Sequence, residues 1–366
     1  MPKALLDGED LKLGLFAANC SGAMTVTTVD ERWQATWDDN LRMVKLGDAV
    51  GIDFVLPVAR WIGYGGQTNF HGGVLDPVVL ASAMLAVTER IVVFATIHTA
   101  FNHPLVAAKA MATADQIGKG RAGLNIVAGW NQPEYELMGL DLPQDHDARY
   151  AYAQEWWDVV RQAWSEPGPL DIEGRFWQLT GVESDPKPYD GLVPILNAGS
   201  SAQGRDFAAR NSDVVFTVVA NPEDAARIAA EVRQNARTRY QREVGLFTCA
   251  YCVCRPTAAE AEEFQHWYAD EHADWAAVDR LMLLQGLHAQ SFTKEMLATL
   301  RPRFAAGHGL CPLVGSPDDV AQEIARYWHA GFGGLTLSFF DYVDELDYFA
   351  QEVLPRLERL GIRRPR

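Results

Sequence analysis

"ATADQIGKGRAGLNIVAGW", residues 112–130, contains a glycine fingerprint whose direction decides the fold. Gly118, Gly120 and Gly123 match G-x-G-x-x-G, which marks a dinucleotide site only where a strand precedes it and a helix follows. Here the order is reversed. The helical run HPLVAAKAMATADQIG (103–118) comes first, and the strand-like AGLNIV (122–127) comes after. The motif is read as a helix C-terminal turn, where glycine tolerates positive φ.

Outward from this stretch, apolar runs of strand length alternate with helical patterns. The expected strands are LKLGLFA (11–17), IDFVLPV (52–58), RIVVFATI (90–97), AGLNIV, PILNA (194–198), DVVFTVV (213–219), LFTCAYCVC (246–254) and GLTLSFF (334–340). Helical runs such as PVVLASAMLAVTERI (77–91) and RYAYAQEWWDVVRQAWS (149–165) lie between them. Eight such alternations predict an α/β fold, a (β/α)8 TIM barrel with insertions, in preference to an open doubly wound sheet. One domain over 1–366 is expected. Insertions are placed near 170–190, read as a hairpin plus turn, and near 276–310, where no strand is evident and a lid or loop is expected.

A formal net charge of −16 argues against nucleic acid or an anionic membrane as partner. The N-terminus lacks a basic-then-apolar targeting pattern, and no apolar run is long enough to span a bilayer. Five cysteines, an odd number, predict reduced thiols and a cytoplasmic address. Cys249, Cys252 and Cys254 lie in one β-rich run without a second thiol pair, so buried thiols are expected there and no metal site.

In a barrel the active face is built where the strands end. There the chain offers Asn19 and Ser21, Leu56 to Arg60, Thr96 and His98, Asn125 to Trp130, Gly199 to Ser201, and Phe216. Aromatic and aliphatic walls with sparse amides and hydroxyls suit a flat heteroaromatic cofactor. AGSSAQGRDFAARN (198–211) places glycine and hydroxyls between a strand and a helix, a candidate phosphate subsite.

At these residues the sequence resembles the luciferase-like flavin-dependent monooxygenases, in the branch of the pyrimidine and dimethylsulfone monooxygenases. The stretches that carry the resemblance are GIDFVLP with GYGG (51–66), ATADQIGKGRAGLNIVAGWNQPEYELMG (112–139), RYAYAQEWW (149–157), PILNAGSSAQGRDFAARNSDVVFT (194–217) and LVGSPDDVAQEIARYWHAGFGGLTLSFFDY (313–342). The resemblance implies FMN, used as FMNH2, held by Ala59, Arg60, Asn125, Glu134, Arg149, Tyr150 and Ser201, with Ser201 at the phosphate end. It implies an O2 pocket of Leu56, Thr96, Asn125, Trp130 and Phe216, with Thr96 and Asn125 bonding a flavin peroxide (at N5 or C4a) and Trp130 excluding water. Asn19, Ser21 and His98 fall on the substrate side, His98 as an acid/base or as a wall. Val58 and Arg60 depart from the pyrimidine pattern, and NCSGAMTVTTVDERWQATWDDN (19–40) looks nearer the sulfone enzyme, so a heterocycle, amide or organosulfur substrate stays open. The implied partners are a separate NAD(P)H-dependent flavin reductase, a small-molecule substrate, and further copies of the chain in a homodimer or homotetramer. A deazaflavin-dependent hydride-transfer enzyme and a non-catalytic flavin-binding protein are the alternatives.

Overall fold

The computed structural model describes residues 5, 8–199, 201–219, 222–287 and 294–365. Eleven strands are present among them: β1 (Lys12–Phe16), β2 (Phe54–Leu56), β3 (Val92–His98), β4 (Ala122–Val127), β5 (Leu170–Glu173), β6 (Gln178–Val182), β7 (Ile195–Asn197), β8 (Val214–Phe216), β9 (Gly245–Cys254), β10 (Cys311–Gly315) and β11 (Gly334–Ser338). Eight of them close a parallel barrel in the order β1-β2-β3-β4-β7-β8-β9-β11, with β11 back against β1. Helices cover the outside, as the alternation of the sequence requires. The antiparallel β5–β6 hairpin stands apart as a two-stranded sheet.

Side-chain alternation splits the core in two. Outward-facing Leu13, Leu15, Val55, Val93 and Leu124 pack beneath the helices, whereas Phe54, Phe94, Leu196 and Phe247 fill the barrel. Three inward rings sit where a neighbouring strand has no side chain. A Cβ at Gly14, Gly123 or Gly334 would collide with Phe54, Phe94 or Phe247 respectively. The rings touch one another, Phe54 to Phe94 at 5.9 Å and to Phe247 at 5.3 Å.

The fingerprint that opened the sequence reading is a turn. Helix Pro104–Gly118 ends there, with Lys119 at φ 51° and Gly120 at φ 84°. Its arginine faces carbonyls: Arg121 donates to Leu85 O, Thr88 O and Ile91 O, and to the Thr88 hydroxyl.

The 276–310 expectation needs correction. Much of this segment is packed helix, Trp275–Leu284 and Lys294–Gly307, with Ala277, Val278, Leu281, Phe304 and Ala305 buried; residues 288–293 lie outside the described residues. A ninth parallel strand follows it. β9 is long enough for its first residues to pair with β8 and its last five with β10. The cysteines Cys249, Cys252 and Cys254 lie on β9 as buried free thiols, and among the described residues no helix is long and apolar enough to cross a membrane.

Candidate active site

Register places the central pair. β3 runs beside β4 with Thr96 opposite Asn125, and the Asn125 amide nitrogen donates to the Thr96 hydroxyl at 3.0 Å. That hydroxyl donates in turn to the Pro57 carbonyl at 2.6 Å, so the exits of β2, β3 and β4 are tied together. A hydroxyl whose one proton is committed must receive a donor from its other neighbour. Asn125 therefore turns its nitrogen to Thr96, and its Oδ1 is left buried without a partner.

Beyond β2, Arg60 and Glu134 form a buried ion pair at 3.2 Å, their side chains 7% and 0% exposed. The same carboxylate oxygen accepts from Trp61 N at 3.0 Å. The Arg60 guanidinium lies over the rings of Tyr64 (5.1 Å) and Trp130 (5.2 Å). Past β4 the chain turns through Gly129 at φ 97°, where a Cβ would collide with the Tyr135 hydroxyl. Tyr135 donates from that hydroxyl to Ala128 O at 3.1 Å, and Arg149 donates to Gly129 O at 3.0 Å.

The cleft continues from Gly129 past Arg149 and Tyr150 to Gly199 and Ser201. Ser201 caps helix Ala202–Asn211, accepting from Gly204 N at 3.0 Å. The helix start is held open by glycine. A Cβ at Gly199 or Gly204 would stand 2.7 or 2.5 Å from the Tyr150 hydroxyl. Asn197 braces this corner, donating to Ile126 O at 2.7 Å and accepting from Gly199 N at 2.9 Å. Ser200 lies outside the described residues.

Four buried polar atoms on this line lack a partner among the described residues: Asn125 Oδ1, Glu134 Oε2, Arg60 Nε and Arg149 Nε. Leaving such groups unsatisfied costs about 1–3 kcal/mol each. An isoalloxazine edge, with alternating N–H and C=O groups, carries the complementary set. The glycine-lined start of helix Ala202–Asn211 suits a phosphate, since free N–H groups and the helix dipole favour an anion. These residues fit FMN.

Along its length this chain matches the model of the family described as luciferase-like monooxygenase over residues 11–333. The chain belongs to the luciferase-like monooxygenase family. It is an enzyme of the flavin-dependent monooxygenase class. Pyrimidine monooxygenase RutA of Rhizobium rhizogenes strain K84 is 29% identical over 353 residues, covering 95% of this chain and 96% of the relative. The fold is similar to that of riboflavin lyase RcaE, solved with modified FMN and riboflavin (TM-score 0.86, 22% identity, 97% of this chain and 93% of that one). It is also similar to that of DmoA from Hyphomicrobium sulfonivorans (TM-score 0.85, 20% identity, 97% and 89%).

Within this luciferase-like barrel the residues named from sequence fall into three groups. Thr96 and Asn125 are bonded to each other; Arg60, Glu134 and Trp130 cluster; Arg149, Tyr150 and Ser201 share the cleft. Ala59 is buried beside Arg60, and Leu56 and Phe216 belong to the apolar filling of the barrel, Phe216 against Phe16 at 5.7 Å. Three expectations shift. Trp130 is 37% exposed and stands at the entrance instead of sealing the interior. Asn19 spends its amide on the backbone, donating to Val58 O and Leu75 O and accepting from Val58 N, so it braces loops and has no N–H left for a substrate. Ser21 accepts from Gly73 N at 3.2 Å and likewise holds a turn. His98 is walled in, stacked on Phe101 at 5.2 Å and edge-on to Trp61 at 5.1 Å. Burial, and then the Arg60 charge, push its pKa down to about 3, which favours the wall over the acid/base at neutral pH.

Tyr64, His71 and His308 went unnamed in the sequence reading. Phe70 stacks on His71 at 4.0 Å, His71 is parallel to His308 at 5.8 Å, and Tyr64 meets both imidazoles. The usable signal was a histidine set among glycines, in GYGGQTNFHGG (63–73) and AAGHG (305–309).

Proposed function

We propose that this chain is the oxygenase component of a two-component system, using FMNH2 made by a separate NAD(P)H-dependent flavin reductase. The observation that carries this reading is the set of four unpartnered buried atoms leading to the glycine-lined helix start. When bound, reduced FMN supplies two electrons to O2, one oxygen atom passing to the substrate and the other leaving as water, with activation at flavin N5 or C4a.

The chain's own part is to bind, orient and exclude water. Asn125 presents an acceptor, which suits a flavin N–H, and FMNH2 has two N–H groups more than oxidised FMN, at N1 and N5. Thr96 fixes that amide's orientation. Arg60 and Glu134 reach the ring's carbonyl and N–H groups with the atoms left over from their ion pair, while Tyr150, Ser201 and the backbone of 201–204 take the phosphate. Leu56 and Phe216 keep the oxygen side apolar, as a reactive oxygen species near water is lost to side reactions. Small pyrimidine-like heterocycles, amides and organosulfur compounds are the candidate substrates, and five buried thiols suit the cytoplasm.

Oxygen uptake with a flavin reductase, NADH and FMN tests the reading. Product should form only when reductase, FMN, O2 and the chain are all present. Stoichiometric NADH oxidation by the chain alone would overturn it.

A further inference from the structure

We propose that a second cavity, sharing Arg149 as a wall with the flavin cleft, binds a small aromatic acid, and that this acid and FMN oppose each other's binding. The site stands on its own geometry; its coupling to flavin rests on the oxygenase reading.

The cavity, of about 250 Å³, is closed on one side by the turn of the β5–β6 hairpin, an insertion that takes no part in the barrel. That turn is pinned to helix His146–Ser165. Glu155 accepts from Arg175 N at 3.0 Å, Phe176 N at 2.7 Å and Trp177 N at 2.8 Å, so its charge is taken up by backbone N–H groups. One turn earlier on the helix, the Tyr152 ring meets the Phe176 ring edge-on at 5.1 Å. Tyr135 supplies a third aromatic wall, and Ala100, Ala128 and Ala148 leave the space between the rings open. A flat ring suits these walls, because aromatic groups pack edge-to-face or offset against one another.

Two arginines line the same cavity. Arg149 is 8% exposed and spends Nη1 on Gly129 O at 3.0 Å, and its Nε is buried without a partner among the described residues. The Arg175 guanidinium rests against the Phe176 ring at 4.9 Å. Among the described residues neither arginine is paired to a carboxylate, in a chain whose net charge is −16. Asp141 at the rim offsets one of the two positive charges and leaves the other for a single anion. A carboxylate attached to a ring answers both features, since charge-assisted bonds to guanidinium are the strong ones. A neutral ring leaves the arginines without a counter-ion, a cationic ring is repelled, and an acid without a ring leaves the aromatic walls bare.

Arg149 and Ala128 line the flavin cleft as well as this cavity. One guanidinium thus serves two sites. An anion that draws it toward the hairpin takes it from the flavin, so each ligand weakens the other. By linkage the factor is the same in both directions.

Calorimetric titration of the full chain with benzoate, benzamide, benzylamine and acetate, with and without saturating FMN, tests this. Benzoate should bind at least tenfold tighter than the other three. Arg175→Gln should weaken benzoate at least fivefold and keep FMN affinity within twofold, because Arg175 does not line the flavin cleft. Saturating benzoate should raise the FMN dissociation constant at least fivefold and to a plateau, and saturating FMN should raise that of benzoate by the same factor. Benzoate binding no tighter than benzamide, or unchanged in Arg175→Gln, overturns the site. An FMN dissociation constant that climbs with benzoate without a plateau places benzoate in the flavin cleft and overturns the site too, whereas one that does not move overturns the coupling. If FMN fails to bind at all, the oxygenase reading fails, and the benzoate titrations of the native chain and Arg175→Gln still decide the site.

Discussion

Thr96 has one proton to give, and it goes to the Pro57 carbonyl. Sequence reading set Thr96 beside Asn125 correctly, because adjacent strand ends are legible from strand order. The resemblance implied that Thr96 bonds a flavin peroxide, and with its proton on Pro57 O the hydroxyl can do so only as an acceptor. The consequence is specific: Thr96→Val leaves Pro57 O and the Asn125 amide nitrogen without partners and frees Asn125 to rotate. We expect a loss of about 1–3 kcal/mol in urea unfolding together with weaker FMN binding; a variant as stable as the native chain, with native flavin affinity, would show that the tether is idle. His98 makes a separate prediction. Its imidazole titrates near 3 when folded, against an ordinary value near 6.5, so the unfolded chain takes up the proton between those values. Folding stability from this group is complete above about pH 6.5 and falls as the pH drops toward 3, by on the order of 2 kcal/mol at pH 5. Urea midpoints at pH 7.5 and pH 5 should separate less in His98→Phe than in the native chain, and an equal separation contradicts this assignment.

Elements were readable where pattern and length agreed. All eight barrel strands fall on the apolar runs picked out in the sequence; β3 runs one residue past its run, to His98, and β9 begins one residue before its run, at Gly245, whereas β2 and β8 are shorter, with three residues each. β10 escaped notice because Cys311-Pro312-Leu313-Val314-Gly315 is short and contains a proline, which reads as a strand breaker. Pro312 is tolerated because β10 pairs only with β9 in this sheet. The glycine-flanked histidines at 71 and 308 were visible one by one, but their pairing was not, since nothing local in a sequence states that positions 71 and 308 stack. Helix Ala202–Asn211 carries the sharpest test at this scale. Gly204→Ala improves helix propensity by about 1 kcal/mol, yet its methyl would stand 2.5 Å from the Tyr150 hydroxyl and 2.7 Å from Gly199. FMN affinity should fall at least tenfold while far-UV circular dichroism keeps its native form. Native affinity in this variant would move the phosphate away from the helix start.

At the scale of the whole molecule, helices Pro77–Ala86 and Pro104–Gly118 pack against each other and against the barrel, burying Leu80, Met84, Ala108 and Met111. The outer side of Pro77–Ala86 remains apolar, with Val79 71% exposed, and Val106 on the neighbouring helix is 65% exposed beside Lys109, Thr113 and Gln116. A helix apolar on every side is ordinarily covered on every side, and a self-complementary patch favours a two-fold dimer. Sedimentation should give at least twice the 40.5 kDa chain mass, and Val79→Glu with Val106→Glu should reduce it to one chain. A native monomer at micromolar concentration contradicts this. The central claim is that the barrel mouth holds flavin in its reduced state, with Asn125 as the acceptor. Anaerobic titration of the native chain and of Asn125→Leu with FMNH2, oxidised FMN and a deazaflavin tests it most directly. The native chain should bind FMNH2 tightest, and Asn125→Leu should weaken FMNH2 at least tenfold while affecting oxidised FMN less. Tighter binding of the deazaflavin, or equal affinity for both FMN states in the native chain, would contradict the account.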